Sequence, residues 1–150
     1  MRYECKQNSS RLAWCYGDLT ALYVLLHMLP VFPAKNDVVQ MLELVAKRRI
    51  YSETYVRDAG FCHGASGIAH IFNRLYRNTG NVCFEETAKY WLERTLLLGC
   101  EAEGVAGYII NEHPNIHPLD LLVSVSGIGS VLLSFQNPEL INWDETMLLI

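Results

Sequence analysis

Two side chains able to bind a soft metal stand next to each other in Gly60-Phe61-Cys62-His63-Gly64-Ala65-Ser66-Gly67. The flanking glycines leave this backbone free to bend. An apolar segment follows at once, which places the pair at the mouth of a helix, where amide dipoles favour a thiolate and lower the thiol's pKa. A second thiol, Cys15, stands two residues before Gly17, as Cys62 stands two before Gly64. If the two following helices start at the same end of an assembly of helical repeats, Cys15, Cys62 and His63 converge. Two thiolates and one imidazole are a three-ligand zinc set that leaves the fourth tetrahedral position for water or substrate. The two thiolates would cancel the charge of Zn²⁺, so an incoming thiol would be held as a nucleophilic thiolate. Free cysteines are also common as small buried hydrophobes. The residues alone leave both readings open.

The elements that must position these groups follow from periodicity. An apolar run from Leu19 to Leu29, closed by Pro30 and Pro33, predicts a helix buried on every side. Asn36-Asp37 is a candidate N-cap for a second helix, whose stripe is Val38, Met41, Leu42 and Val45. A loop over 50–61 leads to the Cys-His stretch. Ile68, Ile71, Phe72 and Leu75 continue at helical spacing until Asn78-Thr79-Gly80-Asn81. A further amphipathic helix covers 84–98, with Phe84, Ala88, Trp91 and Leu92 inward and Gly99 as its C-cap. Residues 100–119 read as a loop with a hairpin at Tyr108-Ile109-Ile110. A helix near 125–135 and a short one ending in Met147-Leu148-Leu149-Ile150 close the chain.

A buried helix followed by an amphipathic one therefore recurs nearly three times. Gly17-Asp18-Leu19-Thr20-Ala21, Gly64-Ala65-Ser66-Gly67-Ile68 and Ser124-Val125-Ser126-Gly127-Ile128 align with spacings of 47 and 60 residues. Helical pairs that cannot bury their own faces stack or close into rings. The fold class expected is all-α, an α/α architecture of about three helical-pair repeats.

Composition narrows the function. Of 150 residues, 51% are hydrophobic and 19% charged, which suits one domain with a sizeable core. The net charge of −4 comes with no basic stripe, so a nucleic-acid partner is not expected. Lys47-Arg48-Arg49 reads as the cationic end of a helix rather than a binding patch. No apolar run reaches the roughly 18 residues of a membrane span, and the first residues lack the apolar core of a signal peptide. The expectation is a soluble, cytoplasmic protein. Five cysteines, an odd number, favour free thiols or metal ligands over disulfides.

Arg11-Leu12-Ala13-Trp14-Cys15-Tyr16-Gly17-Asp18 followed by the Cys62-His63-Gly64 stretch resembles the C-terminal half of a lanthionine synthetase C-like protein. Ser126-Gly127-Ile128-Gly129, Asn142-Trp143-Asp144 and Leu148-Leu149 extend the resemblance over nearly the whole chain. It implies a double ring of inner and outer helices, an α/α toroid of which residues 1–150 are the C-terminal portion. It also implies Zn²⁺ held by Cys15, Cys62 and His63. Trp14 and Tyr16 would flank the first ligand, and Arg11 would match an arginine important for cyclisation. The implied activity adds a cysteine thiol of a precursor peptide to a dehydrated Ser or Thr, making a thioether.

The departures from that pattern matter as much. The resemblance implies earlier repeats, with a histidine and an aspartate that would handle protons beside the zinc, and residues 1–150 offer no match to them. Thr20 and Ser124 replace repeat glycines, and Val123 replaces a glutamate. The alternative is therefore a catalytically incomplete module that binds zinc and a small thiol or peptide. A partial ring would also expose apolar faces, so self-association or a partner supplying the missing repeats is expected. Asp18 reads as a cap for the first helix, and His70 as a core or pore-wall residue. Glu112-His113 and His117 are set aside because Pro114 breaks the helix a protease motif needs. Cys5, Cys83 and Cys100 are expected to be unligated.

Overall fold

The computed structural model describes residues 9–28, 35–100, 102, 104–109, 120–137, 139, 141–147 and 149. The expectations placed on Cys5, Leu29, Pro30, Pro33, Ile110, Glu112, His113, His117, Leu148 and Ile150 lie outside them. Six α-helices run in order: α1 (Asp18–Met28), α2 (Lys35–Ala46), α3 (Tyr51–Thr54), α4 (Ala65–Thr79), α5 (Val82–Leu97) and α6 (Val125–Gln136). A 3-10 helix, Ile141–Met147, follows. The described residues contain no strand; the hairpin expected near Tyr108 is a single antiparallel bridge between Val105 and Tyr108. The all-helical fold class holds.

Packing sorts the helices into two layers. α1, α4 and α6 touch in sequence, with α4 in the middle, while α2 and α5 touch each other and back onto α1 and α4 respectively. The first residues of α1, α4 and α6 are 47 and 60 apart, the spacing of the repeat. The core runs between the layers. Ile68, Ile71, Phe72 and Leu75 of α4 meet Leu42 of α2 and Phe84 of α5, all fully buried. At about 25 cal/mol per Å² such side chains contribute roughly 2 kcal/mol each.

Several local expectations change. α1 is not buried on every side: it covers Leu19, Tyr23 and Leu26, whereas Val24, Leu25 and Met28 are exposed, because among the described residues no element packs on that face. Met41, expected in the α2 stripe, is 53% exposed. α2 starts at Lys35, so Asn36 and Asp37 lie in its first turn, where Asp37 still favours the dipole. The loop 50–61 contains α3. The glycine cap belongs to α4, where Gly80 (φ 69°) donates its N–H to Tyr76 O at 2.7 Å. Gly99 does not play that part. α5 closes through right-handed Leu98, and a Cβ on Gly99 would lie 2.7 Å from the tip of the Tyr108 ring, so that side chain would have to move to admit it.

The cationic run after α2 behaves as expected. Arg49 donates to the carbonyls of Ala46 and Arg48, taking up carbonyls at the helix end. Arg48 pairs with Asp18 at 2.5 Å. Asp18 is thus the first residue of α1 and an ion-pair partner rather than a side-chain cap; its own N–H is taken by Ser10 Oγ at 2.8 Å.

Candidate metal centre

The segment 11–17 and the turn 60–64 are laced together by backbone. Leu12 N–H donates to Thr54 O (3.0 Å), Trp14 N–H to Cys62 O (2.7 Å) and Cys62 N–H to Leu122 O (2.7 Å). All three repeats therefore contribute to one small region at the start of α4. Asp58, which the sequence did not single out, organises the turn. Its Oδ1 accepts from Gly60 N–H at 2.8 Å and its carbonyl from Ala65 N–H at 2.9 Å. No regular pattern marks an aspartate four residues before a ligand, so its role emerges only from the folded turn. In the first repeat Gly17 adopts φ +114°, and a Cβ there would sit 2.1 Å from Arg11 O. Only glycine closes the bend that carries Cys15 and Tyr16.

This lacing brings Cys15, Cys62 and His63 together. Their ligand atoms all lie within 4.8 Å of one another. Cys15 is exposed, His63 half-buried and Cys62 nearly buried. The three convergent donors fit a borderline-soft divalent cation: two sulfurs and one imidazole nitrogen, with an exposed side for a fourth ligand.

The expected lowering of the Cys62 pKa is reversed in the protein's own environment. Burial, and then the adjacent Cys15 thiol, push Cys62 up to about 12, with the Arg11 charge pulling the other way. The dipole argument loses because Cys62 sits in the turn before the helix and is largely desolvated, and burial disfavours a thiolate. A divalent cation at this point would invert the local balance.

Around the donors, Arg11 reaches Tyr16 Oη (3.3 Å) and Tyr55 O (3.4 Å). With Tyr51 and Arg57 these residues line an open cleft of about 350 Å³. Arg57 donates to Tyr51 Oη at 2.7 Å and stands 5.3 Å from that ring's centre. The sequence reading missed Tyr51, Tyr55 and Arg57; an aromatic pair four apart followed by arginine was the available signal. Trp14 does not line this cleft. Its Nε1–H donates to Met147 O at 3.0 Å, tying the ligand segment to the final helix. His70 is a core residue, fully buried and bonded to Asp144. Cys83 and Cys100 lie apart from the cluster as free thiols.

The profile of the family described as "Lanthionine synthetase C-like protein" matches residues 1–148. The chain belongs to the lanthionine synthetase C-like family. Among similar proteins, LanC-like protein GCL1 of Arabidopsis thaliana is 30% identical over 90 residues, covering 58% of this chain and 21% of that protein. Glutathione S-transferase LANCL1 of Danio rerio is 33% identical over 69 residues, covering 44% of this chain and 16% of that one. The matched stretch spans about a fifth or less of these relatives. No helix among the described residues of this lanthionine synthetase C-like chain is long and apolar enough to cross a membrane.

Proposed function

We propose that this chain carries the zinc- and thiol-binding part of a thioether-forming site, working within a longer or assembled cyclase of the α/α-toroid type. The observation that carries the reading is the convergence of Cys15, Cys62 and His63 from two repeats onto one point. Zinc, when bound, would lower the pKa of a substrate thiol and keep it as a thiolate at neutral pH. The net reaction adds S–H across the C=C bond of a dehydrated Ser or Thr, sulfur to the β-carbon and a proton to the α-carbon. Arg11, whose charge already acts on Cys62, favours thiolate and offers a cation to the electron-rich intermediate. Tyr16, 57% exposed beside Cys15, and Arg57 across the cleft suit the backbone and carboxylate of an incoming peptide or small thiol. Trp14 holds the Cys15 segment against the final helix. No residue is assigned to deliver the proton.

A second reading rests on one observation. A relative bears the name glutathione S-transferase, and the open cleft would admit a small thiol. In that case the chain binds zinc and thiol without cyclising a peptide.

The test measures zinc per chain in the purified protein and in Cys62→Ala, followed by incubation with a dehydrated cysteine-containing peptide and, separately, with glutathione. About one zinc, lost in the variant, supports the site. Thioether product supports the first reading, and thiol binding without product the second. No zinc in folded protein would overturn both.

A further inference from the structure

Behind the metal-side cleft, a second and smaller cavity of about 120 Å³ lies between the 49–57 segment and α5. Three arginines line it: Arg49, Arg57 and Arg94. No carboxylate lines it, and none among the described residues is ion-paired to any of the three. Arg49 is anchored by Thr87 Oγ1 (3.1 Å) and lies 4.5 Å from the Tyr90 ring centre, so its guanidinium is fixed before any ligand arrives. Burial pulls the Arg49 pKa below its ordinary value, as expected for a cation with no acid beside it. Trp91, only 3% exposed, also lines the cavity, and its buried Nε1–H has no acceptor. An unpaired buried donor ordinarily costs about 1–3 kcal/mol. Three cations around one small space, with an unsatisfied N–H on a residue of its wall, describe a site suited to an anion.

We propose that this cavity binds a dianionic phosphate group, held by Arg49, Arg57 and Arg94 with Trp91 Nε1–H as a further donor. Phosphate carries roughly −1.5 to −2 at neutral pH and three acceptor oxygens, which matches three guanidinium charges better than the single charge of a carboxylate does. Arg49 contributes chiefly its charge, since its terminal nitrogens already serve Ala46 O, Arg48 O and Thr87 Oγ1. The volume is well under the roughly 300 Å³ at which pockets for drug-sized ligands begin, so the cavity receives the group and not a whole nucleotide. Arg49, Arg94 and Trp91 take no part in the cleft beside the metal donors; Arg57 and Tyr51 belong to both. The inference therefore stands without the zinc reading.

The full chain as purified is titrated at fixed ionic strength with inorganic phosphate, with O-phosphoserine and with acetate, read by calorimetry and by the thermal midpoint. Binding of either phosphate compound well ahead of acetate is expected, and the stronger of the two shows whether the group is taken free or esterified. Arg94→Gln should weaken that binding about tenfold and Trp91→Phe about threefold. Arg94 is exposed, so its replacement leaves folding intact, which the circular dichroism of the variant checks. Cys62→Ala should bind phosphate unchanged; loss there would place the anion at the metal centre and overturn the proposal. So would phosphate binding no tighter than acetate, or binding indifferent to both cavity variants.

Discussion

His70 Nε2 lies 2.5 Å from Asp144 Oδ2, and both side chains are fully buried. The contact spans 74 residues of sequence and fastens the final helix onto α4. Arg74 completes it, donating to both carboxylate oxygens. Burial alone would raise the Asp144 pKa, but the hydrogen bonds from His70 and Arg74 hold it below the usual carboxylate value. Burial lowers the His70 pKa against the pull of Asp144. The consistent state is an Asp144 carboxylate balanced by Arg74⁺, with neutral His70 donating from Nε2. Trp143 packs 5.0 Å from the His70 ring, and Met147 receives Trp14, so this one segment braces both the core and the Cys15 segment.

Asp144→Asn should therefore be costly. It removes the charge that Arg74 and His70 both face, and breaking a buried ion pair typically costs about 3–5 kcal/mol. Urea unfolding of the variant against the parent chain measures this. A loss under about 1 kcal/mol would show that the cluster is not holding the segment.

Acid should loosen the same cluster in two steps. His70 has a folded pKa below the unfolded value of 6.5, so the unfolded chain takes up that proton first. Its contribution is present above 6.5 and is lost as the pH falls toward the folded pKa. Asp144 behaves the same way below 3.8. Unfolding free energy measured from pH 8 to 5 should fall, and His70→Gln should flatten the part of the slope that begins near 6.5. A parent curve already flat across that range would count against the assignment.

The all-helical fold class and the convergence of Cys15, Cys62 and His63 were largely legible in the sequence, for a local reason. Inner-helix starts repeat as short strings of small residues, and the Cys15–Gly17 and Cys62–Gly64 intervals match across them. The His70–Asp144 pair was not legible, because nothing in the strings around either residue specifies a partner 74 positions away. Apolar content alone did not reveal the bare side of α1, since burial depends on which neighbours are present. The direction of the Cys62 shift was misread because the sequence shows the helix start but not the desolvation beside it.

Two glycines of the repeat should tolerate no side chain, and a third should welcome one. A Cβ on Gly67 would lie 1.8 Å from Phe61 O, and one on Gly127 2.0 Å from Leu121 O, the same contact six residues back in both repeats. Gly67→Ala and Gly127→Ala must shift backbone and should each lose roughly 2 kcal/mol or more. Gly129 sits inside α6 with nothing within 4 Å of such a Cβ, so Gly129→Ala should gain about 0.5–1 kcal/mol. Thermal midpoints of the three variants moving the same way would refute the distinction.

Metal uptake should release protons. Cys62 is a thiol up to about pH 12 in the protein's own environment, and a thiolate is the form that binds. From this group alone, apparent zinc affinity should rise about tenfold per pH unit through neutrality. Competition with a chromophoric chelator between pH 6.5 and 8 gives the slope; an affinity independent of pH would remove Cys62 from the ligand set.

The apolar face of α1 and α2 sets the last expectation. Val24, Leu25 and Met28 of α1 are exposed alongside Met41 and Leu44 of α2. Ala21, Leu22, Met41, Leu44 and Val45 line a groove of about 330 Å³ between the two helices. Hydrophobic side chains gathered in this way mark surfaces that meet another protein surface. The face lies at the α1–α2 end of the two layers. We propose that a second copy can cover it, and sedimentation should then show a mass that grows with protein concentration. Leu25→Lys with Leu44→Glu should return the chain to a monomer with little change in stability, since both side chains are already exposed. A parent chain that stays monomeric at high concentration would show that this face needs no partner.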